Sequence, residues 1–230
     1  CGYHGWHDWY LSTNLNKSKK NNLNNHLMKE LNIAGVPKKL KNTTFSFEYG
    51  DFKGLKKLVS KNNIGIIKME VCRNTKPNIN FLKKVRNLAT AKNIILIFDE
   101  CTTGFRENFG GLHKKINIKP DMAIFGKALG NGYAITAVLG KDRIMQSSKK
   151  TFISSTFWTE RLGTVAALKT LETMNKIKSW KKVNSISVKI KKKWNNLFNK
   201  YNLKVSIKGT NGLLNYVFNC KNHQAYTTLI

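Results

Sequence analysis

The chain has 230 residues, 41% of them hydrophobic, enough for one large core or two smaller lobes. Its 41 Lys+Arg against 12 Asp+Glu leave a formal charge of +29, which raises nucleic acid or an acidic membrane surface as partners. Arg is rare, however, and the lysines travel with Asn along the whole chain, as in residues 14–26 and 189–200, so a nucleic-acid patch of interleaved Arg and aromatic residues is disfavoured.

The chain opens on the motif-like string CGYHGWHDWY and stops at AYTTLI without a recognisable terminal element, so a fragment missing both ends is expected. Residues 14–45 are polar and broken by Gly35 and Pro37, which predicts a long surface loop. Asp51 is placed to cap a helix carrying Leu55, Leu58 and Val59, and IGIIKME (64–70) suits a buried parallel strand. A second unit follows. Phe81, Leu82, Val85, Leu88 and Ala89 keep a helical stripe, and NIILIFDE (93–100) is a continuous apolar run ending in two acids.

DMAIFGKALGNG (121–132) predicts a third strand ending at a lysine, and AITAVLG (134–140) a fourth, bounded by Gly132 and Gly140. This alternation implies an α/β fold with a mainly parallel sheet and helices on its faces. ERLGTVAALKTLETM (160–174) is the best amphipathic helix, and Lys176 to Lys200 continues as one or two basic helices. The segment 203–218 reads as strands around an Asn-Gly turn that opens a small second domain.

No apolar run reaches the roughly 20 residues that span a bilayer, and no signal-peptide pattern is present. Cys1, Cys72, Cys101 and Cys220 have neither zinc-site spacing nor the density of a disulfide scaffold, so a cytoplasmic setting is expected. His7, His26, His113 and His223 also lack metal-ligand spacing and read as surface or packing residues, leaving no predicted metal site.

Open parallel sheets bind ligands beyond the carboxyl ends of their strands, and Glu70, Asp99 and Lys127 fall there. Asp99 follows five apolar residues, so its charge needs a cationic partner; a structural salt bridge is the plainer explanation and a protonated ring nitrogen the sharper one. Lys127 alone could be a solvated charge. With an acid at the preceding strand end it fits the Schiff-base lysine and pyridinium partner that pyridoxal 5'-phosphate (PLP) requires.

IFDECTTGFR (97–106), PDMAIFGKALGNGYAITAVLG (120–140) and YHGWHD (3–8) resemble the class III PLP-dependent aminotransferases, glutamate-1-semialdehyde 2,1-aminomutase and its relatives above all, in order from Cys1 to about Leu171. The resemblance implies a fold-type I PLP-dependent transferase. Residues 1–175 would be part of the large PLP-binding domain, and 176–230 a linker helix and the start of a small C-terminal α+β domain. It further implies that Lys127 carries the cofactor and then shuttles a proton, that Asp99 holds the ring nitrogen, and that Tyr3 stacks on the ring with His4 beside it. Thr156, with Ser155 adjacent, would reach the phosphate from a partner subunit. Glu70 and Asn74 fall where relatives place an acidic and a polar group near the cofactor, although Val71 stands here in place of a proline. Arg106 could clamp a substrate carboxylate or serve the structure.

The implied partners are a small-molecule amino or keto substrate and a second copy of the chain, in a homodimer with shared active sites; no membrane is implied. The motifs serve an aminomutase and an aminotransferase alike. WHDWYLSTNL (6–15) suggests, as an alternative, an aminotransferase acting on a sugar-linked or small keto substrate, and the charge leaves a non-catalytic basic nucleic-acid-binding protein as a third reading.

Overall fold

The computed structural model describes residues 7–16 and 32–229. Tyr3 and His4 lie outside the described residues. In chain order the elements are α1 (His7–Ser12), α2 (Phe52–Lys61), β1 (Ile66–Glu70), α3 (Ile79–Ala91), β2 (Ile95–Asp99), α4 (Leu112–Lys115), β3 (Met122–Phe125), β4 (Ala137–Gly140), α5 (Asp142–Met145), α6 (Arg161–Ile177), α7 (Ser179–Lys200), β5 (Val205–Lys208), β6 (Asn215–Phe218) and α8 (His223–Leu229). Short 3-10 turns stand at Thr13–Asn16 and Lys38–Leu40, within the segment expected to be irregular.

The first two predicted helices are capped by their own sequence. Asp51 Oδ1 accepts from Gly54 N at 2.9 Å to start α2, and Asn78 Oδ1 accepts from Phe81 N at 3.0 Å to start α3. The helical stripe of α3 then buries Phe81, Leu82, Val85 and Ala89.

The sheet runs β1-β2-β3-β4, with the first three strands parallel and β4 antiparallel to β3. The fourth strand is shorter than the apolar run 134–140, and its direction follows from its connection. Between β3 and β4 the chain makes only the 3-10 turn Lys127–Leu129, too little for the crossover that a parallel return needs. Parallel register sets Glu70 beside Asp99 and Asp99 beside Ile124.

Alternation divides the sheet into two faces. Ile67, Met69, Leu96, Phe98, Ala123 and Phe125 are buried on one face, against Leu55 of α2, the stripe of α3 and Ala167 of α6. Lys68, Glu70, Ile97, Asp99 and Ile124 stand on the other face, partly exposed.

The helical stretch after residue 160 is divided at Lys178, whose φ of 49° breaks it into α6 and α7. Strands β5 and β6 pair antiparallel as expected, but Asn211 and Gly212 sit inside a longer loop. Gly212 has φ of 77°, and a Cβ there would meet Val183 of α7 at 2.8 Å, so the loop closes on the helix only with glycine. Helix α8 follows where no terminal element was expected.

Asp121 pins the amino ends of the central strands. Its Oδ2 accepts from Leu96 N at 2.9 Å and from Arg86 of α3 at 2.8 Å, and its Oδ1 accepts from Lys141 at 2.6 Å. Burial would raise its pKa, but these bonds outweigh burial and bring it down to about 2. A depressed carboxylate pKa stabilises the fold above the unfolded value, near pH 4, and that stability is lost as pH falls toward 2. In urea unfolding, Asp121→Asn is expected to lose between about 1 and 2 kcal/mol at pH 7, and its deficit should shrink as pH drops from about 4 to about 2. A deficit constant across that range would mean that the charge of Asp121 contributes nothing.

Candidate active site

β2 ends at Asp99, and the segment after it, Glu100 to Arg106, folds back in a tight turn. Gly104 N donates to Glu100 O at 2.7 Å, while Glu100 N donates to Ile124 O at 2.8 Å and continues the ladder to β3. A Cβ on Gly104 would meet Glu100 O and the Phe125 ring, each at 2.8 Å, which explains a glycine in the TTGFR string. Glu100 itself is fully buried. Its carboxylate accepts from Thr103 Oγ1, from His113 N at 2.8 Å and pairs with His113 Nδ1 at 2.9 Å, so the second acid of the DE pair clamps the turn from below. His113 is therefore a packing residue of this turn. Arg106 donates from Nε to Thr102 O at 2.7 Å.

The second motif closes on the first. Lys127 follows β3 with φ of 45°, a left-handed conformation that a lysine adopts only when its surroundings impose it. Gly126 packs against Cys101 Sγ at a distance of 3.3 Å from where a Cβ would stand, and at Gly130 a Cβ would lie 2.1 Å from Tyr133 O. These contacts direct the exposed Lys127 side chain across to the first motif, where its Nζ donates to Thr102 Oγ1 at 3.0 Å.

Asp99 accepts from Cys101 N at 3.0 Å through Oδ1 and from Lys68 Nζ at 2.8 Å through Oδ2. Burial raises its pKa, but the hydrogen bond and charge of Lys68 outweigh burial and hold it below the usual carboxylate range. The cationic partner anticipated for Asp99 is thus present within the protein. The Cys101 thiol feels charges of both signs: burial, then Asp99, push its pKa up to about 11, while Lys127 and Lys68 draw it down. Asp99, Lys127 and Lys68 therefore all act on one small space at the carboxyl ends of β1, β2 and β3.

Of the other predicted residues, Glu70 shares this edge and the described rest lie elsewhere. Glu70 pairs with Arg73 at 2.9 Å at the end of β1. Asn74 turns toward the β5–β6 unit, with its carbonyl accepting from Gly209 N at 3.2 Å and its Oδ1 from Asn215 at 3.3 Å. Ser155 and Thr156 are exposed where an irregular segment enters a turn, among bare aromatic side chains that include Phe152, Phe157 and Trp158. Three contributors, Lys68, Cys101 and Thr102, were missed by sequence reasoning. Thr102 carries no signal beyond its place in the motif, but a lysine inside the apolar run IIKME, two residues from Glu70 and hence on its face, was a usable one.

The arrangement defines an α/β protein with an amine and an ionised carboxylate brought to the same carboxyl edge of a parallel sheet. The family model of the class III aminotransferases matches residues 1–229, and the chain belongs to that family. It is 36% identical over 184 residues to the 3-aminobutyryl-CoA aminotransferase of Cloacimonas acidaminovorans, covering 76% of this chain and 40% of that protein. To the glutamate-1-semialdehyde 2,1-aminomutase of Nitrosopumilus maritimus it is 35% identical over 185 residues, covering 77% and 42% respectively. The chain thus spans about two fifths of the length of these relatives. In fold it is similar to the FumI protein of Sphingopyxis sp. MTA144, solved in its PLP internal aldimine form, with a TM-score of 0.77, 17% identity, and coverage of 91% of this chain and 54% of that one.

PLP is the cofactor of this family, and the donor set fits it: an ionised carboxylate suited to a protonated ring nitrogen, and a primary amine held by Thr102 in the turn that follows that carboxylate. Thiolate, not thiol, is the reactive form of cysteine. At neutral pH iodoacetamide is therefore expected to modify the exposed Cys220 and to spare Cys101 and the buried Cys72, whose thiol burial pushes up to about 12. Peptide mass mapping checks this, and modification of Cys101 as fast as Cys220 would contradict it.

Proposed function

We propose that the full-length protein is a PLP-dependent amino-group transferase of the glutamate-1-semialdehyde aminomutase type, with Lys127 as the residue that bonds the cofactor. The observation that carries this is the strained Lys127, delivered by β3 to within 3.0 Å of the turn that follows Asp99. When bound, PLP supplies an aldehyde for amines and an electron-withdrawing ring that stabilises negative charge on the substrate carbon.

The residues of this chain do the rest. Lys127 anchors the cofactor and, once released by an incoming amine, holds and returns the proton at the substrate carbon. Thr102 steadies that amine by accepting its hydrogen bond. Asp99, held ionised, pairs with the ring nitrogen. Glu70, which ends β1 beside Asp99, would be a further polar contact, Asn74 would have to leave its partners in the β5–β6 unit to become one, and Tyr3 and His4 would form the wall over the ring.

The same reading assigns residues 1–175 to the large cofactor-binding domain and 176–230 to the start of the small one. Its support is that β5 and β6 form a two-stranded sheet of their own, separate from β1–β4, after the long helix α7. It also takes a homodimer, with Thr156 and Ser155 reaching a neighbouring site. The exposed Phe152, Phe157 and Trp158 around them supply the apolar surface such a contact needs. A cytoplasmic location belongs to this reading too; among the described residues no helix is long and apolar enough to cross a membrane.

Absorbance and peptide mass spectrometry test the anchor. With PLP, the full-length protein should gain a visible band, and borohydride should fix the cofactor's mass on the peptide containing Lys127. Lys127→Ala should lose both, with turnover falling at least about a hundredfold. Cofactor fixed on another lysine would overturn the assignment. Glutamate 1-semialdehyde offered without a keto acid then separates the two activities. An isomer with its amino group moved supports the aminomutase, and turnover only with an added acceptor supports an aminotransferase.

A further inference from the structure

One cation in the site is not used by the reading above. Lys68 lies in the interior of β1, on the same sheet face as Glu70 and, across the ladder, Asp99. Its Nζ is 2.8 Å from Asp99 Oδ2, and the two side chains are only 19% and 14% exposed. An ammonium so far from bulk water is costly unless a carboxylate and good geometry offset it, and here the carboxylate is the one assigned to the cofactor ring.

We infer that Lys68 is a positioning residue that acts on the cofactor through Asp99: it is the standing counter-cation that holds this carboxylate oriented, and by sharing it weakens protonation of the ring nitrogen. The inference rests on the reading of Asp99 as the ring's partner. A carboxylate has about four acceptor sites, so Lys68 and a ring N–H can share Asp99 with the Cys101 amide. Two cations on one carboxylate nevertheless repel, and the proton on the ring is the one that can leave.

The neighbouring charges do not change the sign. Lys127, whose Nζ is held by Thr102, adds to the positive side of the balance, the Cys101 thiol is neutral, and Glu70 is engaged by Arg73. Removing the charge of Lys68 leaves the ring as the principal cation facing Asp99, so the ring should hold its proton to higher pH.

The test uses 4'-deoxypyridoxine 5'-phosphate, which keeps the ring and phosphate but has no aldehyde to bond Lys127. With the ring nitrogen labelled with ¹⁵N, its chemical shift in the complex with the full-length protein reads protonation directly, independently of turnover. Lys68→Met is expected to raise the pH midpoint by about one unit, a tenfold change in the protonation equilibrium. Lys68→Gln, which keeps a hydrogen-bond donor to Asp99 and is the variant to use if the Met protein does not fold, should do the same. Lys68→Arg should stay near the wild-type midpoint, and Asp99→Asn should lower it. Unchanged midpoints in Lys68→Met or Lys68→Gln, with a lowered one in Asp99→Asn, would overturn the role of Lys68 alone. An unchanged midpoint in Asp99→Asn would overturn the assignment of Asp99 and this inference with it.

Discussion

Parallel strands cannot be joined by a tight turn, and this constraint organises the molecule. Each return between β1, β2 and β3 has to travel over the sheet, through α3 in the first case and through the turn and α4 in the second. All three strands therefore deliver their carboxyl ends to the same edge. Glu70, Asp99 and the Gly126–Lys127 step meet there although far apart in sequence. The antiparallel β4 closes the edge of the sheet and needs no crossover, which frees the loop between β3 and β4 to pack around Lys127.

Acidic side chains are scarce in a chain of this charge, and the buried ones are heavily used. Asp121 accepts from a backbone amide, an arginine and a lysine; Glu100 holds Thr103 and His113; Asp99 holds Lys68 and Cys101 N. Glu107 accepts from Asn211 N and pairs with Lys115. In each case a carboxylate removed from water is compensated by several donors, the condition under which burying it is tolerable. Most of the excess lysines lie on solvated faces and take no part in these networks.

The elements after residue 176 are bound to the rest by polar ties. Asn184 of α7 donates to Glu107 O, Asn211 N donates to Glu107 Oε1, and Gly209 N donates to Asn74 O. The turn that carries Asp99 and Thr102 thus continues, through Arg106 and Glu107, into the contact with α7 and the β5–β6 loop. A displacement of α7 would be felt at the base of that turn, because Arg106 also packs against Gly212.

Much of the architecture could be read from residue order. The cap at Asp51, the stripe of α3 and the apolar runs of the first three strands are local properties, written in spacing and side-chain type, and the motif strings around Asp99 and Lys127 pointed to the family. What the order of residues could not decide was direction and pairing. Whether 134–140 ran parallel or antiparallel, which cation met Asp99, and that Thr102 met Lys127 all depend on register between strands distant in sequence. Only the folded sheet, by placing Lys68 one pleat below Asp99 on the same face, turned a lone lysine in an apolar run into a partner of the site.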